Sequence, residues 1–466
     1  MAKHDPAEVS TALADFAHDW AGTDIPAPVR EQARLHLLDS IGIALASGTQ
    51  EWAHRTFTAL HGLGGDGAYP VIGLPRGLTA RDAATLNGVL VHGLDYDDTH
   101  IAGVIHVSAS QVPAVLAAGQ QAGASGHDAV TALVLGTETA CRIAMAAGGL
   151  FHKAEFQPTG TVGAFGAALA VGRLFALTPM QLRWAQGIVL SMNASNLSFN
   201  AHGSWTKRLF PGWAAASALT AAALARQGFT GPLDPYFERG GLYRTQLGGA
   251  PIDTSVDLHA LLDGLGERWE TGDVSIKPYP ACHLAHACIE AAIELRRRHG
   301  LDADAIERAV VALHPAVISG ICEPVARKRR PATSYQAQFS VQFLTASALR
   351  RGQLTLQELD DAALTDPATL ALCDRIDYVA DDRFEHPKHF GGAVEVLLKD
   401  GRRLAHRQDV NLGAPSRAVD AAFIERKFLD NAGTAVSAAR AAAIRDQVLG
   451  LDQAASLEPL LKTLRG

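Results

Sequence analysis

Cysteine is scarce in this chain. The five residues Cys141, Cys282, Cys288, Cys322 and Cys373 are an odd number scattered through 466 positions, which excludes a disulfide framework and points to a reducing compartment. A cytoplasmic location is therefore expected. An excess of positive charge is missing too: 41 basic against 48 acidic residues leave a formal net charge of -7, with no general attraction for nucleic acid or an anionic membrane. The run Arg327-Lys328-Arg329-Arg330 is a local exception that reads as a solvated loop, so no nucleic-acid partner is expected. The first residues, MAKHDPAEVSTALADF, carry acids and no apolar h-region, and no uninterrupted run approaches a membrane span.

Several chemistries are excluded in the same way. No G-x-S-x-G elbow is present, and nothing marks a cysteine as activated. GLGGDGAYP is glycine-rich but lacks the Lys-Ser/Thr and helix of a nucleotide loop, so it reads as a surface turn. Cys282-His283-x-x-His286-x-Cys288 matches no common zinc finger or ribbon. Its histidines read as helix-start residues that line a pocket or fill a core. Internal repeats and low-complexity linkers are absent.

What is present is a chain of 48% hydrophobic and 19% charged residues, enough to bury a large core. At this length two domains are expected. VREQARLHLLDSIGIALA spaces its apolar residues at three and four, as an amphipathic helix does. PAVLAAGQQAG, HDAVTALVLGTETACRIAMAAG, GAFGAALAVGRLFAL and GWAAASALTAAALARQG follow, rich in Ala and Gly and apolar nearly all round. That composition predicts buried helices in close contact. After about Trp269, IERAVVALHP and GGAVEVLLKDGRRLAHRQDV read as strands, the second with a hairpin at Lys399-Asp400-Gly401. AHACIEAAIELRRRHG and SVQFLTASALRRG are helical, as is the tail. The expected organisation is an all-helical domain of residues 1–268 and 406–466 and a smaller α+β domain of 269–405.

The stretch LDYDDTH places Asp95, Asp97 and Asp98 within four residues. On a helical turn Asp95, Asp98 and Thr99 share a face and Asp97 points elsewhere as a bystander; taken alone, the stretch also reads as a helix start capped by Asp and Thr. Clustered carboxylates bind Mg²⁺ or Ca²⁺, but the calcium-loop spacing is absent and no second acidic motif completes a two-metal site, so no metal is assigned. His106 follows a small apolar loop and has the chemistry to move protons near neutral pH. Lys207, in NAHGSWTKRLFPGW, and Lys277, in GDVSIKPYPACHLAHA, each read as lying just before a helix. A cation gains nothing from a helix N-terminus; both make sense facing a third, anionic party such as a substrate carboxylate. Singly, each also reads as an ordinary solvent-exposed charge.

Together LLDSIGIALASG, NGVLVHGLDYDDTH, QPTGTVGAFGAALAVGRLFAL, TKRLFPGWAAASALTAAALARQGFTGP, IKPYPACHLAHACIEA, AQFSVQFLTASAL and the closing ERKF resemble the MmgE/PrpD family over almost the whole chain. The family includes 2-methylcitrate dehydratase, cis-aconitate decarboxylase and iminodisuccinate epimerase. The resemblance implies a mainly α fold, a large all-helical domain plus a smaller α+β lid domain, usually as a homodimer with the active site in the cleft between domains. It implies that Asp95, Thr99, His106, Lys207 and Lys277 match important positions of decarboxylase-type members. Two positions depart: Gln157 stands where the family has a histidine, and Phe343 where it has a tyrosine.

The activity so implied is that of a cofactor-free lyase acting on a small di- or tricarboxylic acid through a carbanion-like intermediate. Lys207 and Lys277 would bind carboxylates and stabilise enolate-like charge. His106 would be the general acid/base with Asp95 as its partner, and Thr99 would hydrogen-bond the substrate. Gln157, His152, His283 and Phe343 are further candidate substrate contacts, His152 as a replacement for the missing imidazole. A 2-methylcitrate or citrate-type dehydratase is preferred because Gln157 and Phe343 weaken the decarboxylase match. A cis-aconitate-type decarboxylase, a dicarboxylate epimerase and a non-catalytic carboxylate-binding relative are the alternatives.

Overall fold

The computed structural model describes residues 5–20, 22–201 and 204–466; the first four residues of the N-terminal stretch read above lie outside them. The chain forms two compact units, one of residues up to 93, 97–274 and 420 onward, the other of 94–96 and 275–419. The two main boundaries, after residues 274 and 419, fall beyond the expected ones, the second by well over one turn of helix. Residues 269–274 stay with the helical unit because Trp269 packs on Trp20, with ring centroids 5.6 Å apart, and the Glu270 N–H donates to Glu138 at 2.7 Å. Residues 406–419 stay with the second unit because His406–Gln408 complete a strand and Arg417 pairs with Glu290 at 2.7 Å.

In the first unit the principal helices are α1 (Ala27–Ser47), α2 (Ala80–His92), α3 (Ser108–Ala122), α4 (Gly126–Ala146), α5 (Gly163–Leu174) and α6 (Thr206–Arg226). Thr79 and Ser125 cap α2 and α4, each accepting the N–H of the acidic residue three positions on. Glycine sets the packing distances. A Cβ on Gly212 of α6 would lie 2.0 Å from the Thr85 carbonyl of α2, and one on Gly166 of α5 would lie 2.3 Å from the Gly136 carbonyl of α4. The small-residue helices therefore touch backbone to backbone, as their composition predicts.

Two stretches that carried the family resemblance meet here. Asp39 of LLDSIG pairs with Lys427 of ERKF at 2.7 Å with both side chains buried, and a Cβ on Gly42 would lie 3.0 Å from the Phe428 ring. Burial pushes the Asp39 carboxyl up, and the Lys427 ammonium opposes that shift.

Helix α4 is long and apolar enough in composition to cross a membrane. It is buried within the helical unit instead and carries an ion pair. Arg142 Nε donates to Glu138 Oε1 at 2.7 Å, and the remaining guanidinium nitrogens reach the carbonyls of Asp263 and Arg268 at 2.9 and 2.8 Å. A fully buried Arg is thus satisfied by the 261–271 segment it ties to α4.

In the second unit, strands β1 (Ile306–Leu313), β2 (Ile376–Ala380), β3 (Gly392–Leu398) and β4 (Arg403–Gln408) form a sheet in the order β2-β1-β3-β4. β1 and β2 are parallel and the other neighbours antiparallel. The β3–β4 hairpin turns at Lys399-Asp400-Gly401, where Gly401 takes φ +87°, as its sequence predicts. Strand β2 was not anticipated: IDYVA is short and loses its burial toward its C-terminal end. Helices α7 (His286–His299) and α8 (Val341–Arg351) contribute Ile289, Leu295, Phe343 and Leu344 to the core of this unit. The fold is mainly α with a smaller α+β unit, as expected.

Candidate active site

LDYDDTH is not helical. Helix α2 stops at His92, and the chain runs through turns and the two-residue strand Thr99–His100 until Ser108 opens α3. Asp95 takes φ +50°, a left-handed conformation that Asp tolerates better than most residues. The expected face shared by Asp95, Asp98 and Thr99 therefore does not form. Residues 94–96 belong to the second unit, and Asp97 and Asp98 return to the first.

Asp98 is a brace. Its carboxylate accepts the Ser108 N–H at 3.2 Å and the Ser108 hydroxyl at 2.5 Å, capping the start of α3, and His36 Nδ1 of α1 lies 2.9 Å away. Asp97, read as a bystander, sits instead at the centre of a buried cluster. His92 Nδ1 donates to Asp97 Oδ2 at 2.6 Å with both side chains at 0% exposure. His106 Nδ1 lies 4.0 Å from the same oxygen, and its ring packs on that of His92 with centroids 5.0 Å apart. At 16% side-chain exposure, His106 is the member of this cluster that reaches solvent.

The loop that delivers His106 is a tight reversal. His100 and Ile105 exchange both backbone hydrogen bonds, at 2.8 and 3.3 Å, and Val104 between them takes φ +50°. A β-branched residue there is a genuine outlier, held by the contacts on either side of it. His106 Nδ1 lies 2.7 Å from the Asp98 carbonyl and 3.2 Å from Thr99 Oγ1. A carbonyl only accepts, so Nδ1 carries the proton and the neutral ring holds its lone pair on Nε2. The His106 N–H donates to Thr159 Oγ1 at 3.0 Å.

Gln157 stands behind that contact. Its Nε2 donates to Thr159 Oγ1 at 3.0 Å and its Oε1 accepts the Gly160 N–H at 3.3 Å, so it caps the short helix Pro158–Thr161. Lys207 is buried in the first turn of α6, inside the helix rather than before it. Beside it in sequence, Arg208 donates to the Gly93 carbonyl at the end of α2 at 2.8 Å, which joins the Lys207 end of α6 to the His92 end of α2. Burial, and secondarily the Lys207 charge, lowers the His152 imidazole to about 4. His152 is therefore neutral near pH 7, able to accept a hydrogen bond but not to deliver a proton.

The second unit gathers Asp95 and Lys277. Lys277 Nζ donates to the Asp95 carbonyl at 2.9 Å and to Oδ2 at 3.2 Å, with side-chain exposures of 1% and 3%. Lys277 lies outside any helix or strand, nine residues before α7, so no helix start is next to it, and the anion it meets is Asp95. Tyr96 Oη donates to the Pro278 carbonyl at 3.2 Å, and Gln338 Nε2 donates to the carbonyls of Leu94 and Pro280. Three separate motif stretches are thus stitched together around residues 94–96. His283 Nε2 accepts from Asn411 Nδ2 at 2.9 Å, and its ring packs on His286 and Phe390.

Phe343 requires correction as a substrate contact. It has no exposure and packs with Leu344, Ile376 and Val396 in the apolar core of its unit. Its ring fills volume that a tyrosine hydroxyl would have to share with hydrocarbon. Four of the five cysteines offer no nucleophile: burial pushes the Cys322 and Cys373 thiols up to about 12 and raises Cys141 and Cys288 as well.

Sequence reasoning missed His92 and misjudged Asp97. Spacing held a signal, since His92 and Asp97 flank the Gly93 turn, but the helical assumption pointed them apart. His92, Asp97 and His106 bring one potential ligand atom each within 4.8 Å of one another, a spacing a divalent ion could use. As they stand, the His92–Asp97 and His106–Asp98 hydrogen bonds occupy both Nδ1 atoms.

Comparison with known proteins agrees with this layout. Residues 11–255 match the MmgE/PrpD N-terminal domain and residues 279–453 the MmgE/PrpD C-terminal domain. A cis-aconitate decarboxylase-like protein of Aspergillus oryzae is 28% identical over 98% of this chain and 97% of its own length. The cis-aconitate decarboxylase of Aspergillus terreus is 28% identical over 98% and 96%, and that of Mus musculus 25% identical over 91% and 86%. The two domain matches span most of the sequence and follow its helical and α+β parts, and the chain belongs to the MmgE/PrpD family.

Proposed function

We propose that this protein is a lyase that removes CO2 from a small unsaturated tricarboxylic acid of the cis-aconitate type, with His106 delivering the proton that replaces the lost carboxylate. The observation that carries this reading is the exposure pattern of the imidazole cluster, in which one ring reaches solvent and its neighbours are sealed. Loss of CO2 breaks one C–C bond, leaves the electron pair delocalised into the adjacent unsaturated carboxylate, and needs one proton at carbon. Loss of water needs two transfers, one from carbon and one to the departing hydroxyl. A single solvent-reaching imidazole matches the first balance better.

The sequence-based preference for water loss rested on Gln157 and Phe343. Phe343 is a packing residue, and Gln157 is occupied at a helix start, so neither weighs against decarboxylation as it did. The relatives named as cis-aconitate decarboxylases favour the same choice. Lys207, buried in the first turn of α6 in the same unit as His106, is the candidate carboxylate anchor, and charge held in place there would stabilise the carbanion-like intermediate.

The test is to incubate the EDTA-treated protein with cis-aconitate, citrate, 2-methylcitrate and iminodisuccinate in D2O and follow products by ¹³C NMR. Release of CO2 from cis-aconitate with one solvent deuterium at the product carbon is expected. Water loss from citrate or 2-methylcitrate without decarboxylation would restore the dehydratase reading. Solvent exchange with retention of every carboxylate would favour an epimerase. Inactivity on all four would leave a binding role.

A further inference from the structure

We infer that Asp97 and His92 are positioning residues for His106, the buried carboxylate stabilising the protonated His106 ring and His92 holding that carboxylate in place. This deepens the functional reading above and rests on His106 being the proton donor. Neither residue belongs to the set that the family resemblance implies.

A carboxylate with no exposure is costly to keep ionised unless a donor compensates it, and the His92 Nδ1–H at 2.6 Å is such a donor. The same oxygen lies 4.0 Å from His106 Nδ1, beyond a hydrogen bond but within the range where an opposite charge favours the cationic form of an imidazole. His92 also backs the His106 ring from one side. The Asp98 carbonyl holds the proton on His106 Nδ1, which leaves Nε2 as the atom that gives a proton to the substrate and regains one from solvent. Asp97 stays ionised throughout, and no proton crosses the pair.

Two nearby carboxylates serve neighbouring structure. The Asp98 carboxylate faces Ser108 of α3 and His36 of α1, and behind it Asp39 is paired with Lys427. Thr99 and Thr159 contribute hydroxyls only. His92 Nε2 is buried and makes no hydrogen bond among the described residues, so the His92 ring has one strong partner, Asp97.

The test uses full-length protein with labelled histidine. The His106 ring resonance, assigned by its disappearance in His106→Gln, is titrated in wild type, Asp97→Asn and His92→Asn, with circular dichroism and thermal unfolding as checks of folding. In Asp97→Asn the His106 midpoint should fall by about one pH unit or more, with a smaller fall in His92→Asn. The alkaline limb of the kcat profile should move the same way while KM changes little. An unmoved His106 midpoint in folded Asp97→Asn overturns the inference, and so does activity lost equally at every pH without such a shift. A His106 midpoint displaced in wild type by one equivalent of Zn²⁺ and restored by EDTA would assign the cluster to a metal instead. Should Asp97→Asn fail to fold, ¹⁵N shifts of the wild-type rings decide: protons on both Nδ1 atoms support the inference, and a proton on His92 Nε2 with Nδ1 bare overturns it. The titration needs no substrate, so an inactive wild type would sink the functional reading while leaving this result intact.

Discussion

Two charged sites flank one turn of the chain and differ in kind. Around Asp97, two imidazoles and a carboxylate are packed together so that one ring reaches solvent while the carboxylate behind it is sealed. Around Asp95, an ammonium and a carboxylate are both sealed, and the lysine also donates to the Asp95 carbonyl, fixing a left-handed backbone. The first arrangement is suited to exchanging protons. The second fixes chain geometry. Acids two positions apart in one heptapeptide therefore do different work, because the chain between them turns instead of continuing a helix.

If the comparison is right, substitutions on its two sides should fail differently. His106→Gln should lose on the order of 10²- to 10⁴-fold in kcat, as expected for removal of a general acid, with little change in unfolding midpoint because the ring is at the surface of its cluster. Asp95→Asn should instead lower stability by about 3 kcal/mol, since it leaves a buried ammonium without its counter-charge. Adding Lys277→Met should recover much of that stability, measured by urea unfolding, but not activity. Equal stability losses for His106→Gln and Asp95→Asn would erase the distinction.

Smaller effects sharpen it. Gly212→Ala pushes a methyl group against the Thr85 backbone and should cost about 1–3 kcal/mol by overpacking, disturbing the joint that brings the His92 and Lys207 ends of two helices together. His152 supplies a pH signature. Its folded imidazole is lowered to about 4 from an ordinary value of 6.5, so between those values the unfolded chain binds more protons than the folded one. Its contribution, on the order of 3 kcal/mol, is present above pH 6.5 and lost as pH falls through 4. Stability measured across that window should decline less steeply in His152→Asn than in wild type.

Much of this molecule was legible in its sequence, for physical reasons. Ala and Gly at helical spacing announced close helix contacts, and Gly88 with Gly212 and Gly136 with Gly166 provide them. The Lys399-Asp400-Gly401 turn and the strands on either side of it were equally clear. Two helices begin earlier than their patterns suggested, because Pro113 and Pro211 lie inside them rather than ahead of them. The site was less legible. A positive φ at Asp95 cannot be read from periodicity, and without it Asp97 seems to point away from everything that matters. Phe343 shows the converse error: a position matched by motif turns out to be packed in hydrocarbon.

The most direct test of the account is ¹³C NMR of cis-aconitate turnover in D2O by wild type and by folded His106→Gln. The account predicts CO2 release with one deuterium per product molecule in wild type and near-complete loss of both in the variant. Decarboxylation by His106→Gln at the wild-type rate would contradict it.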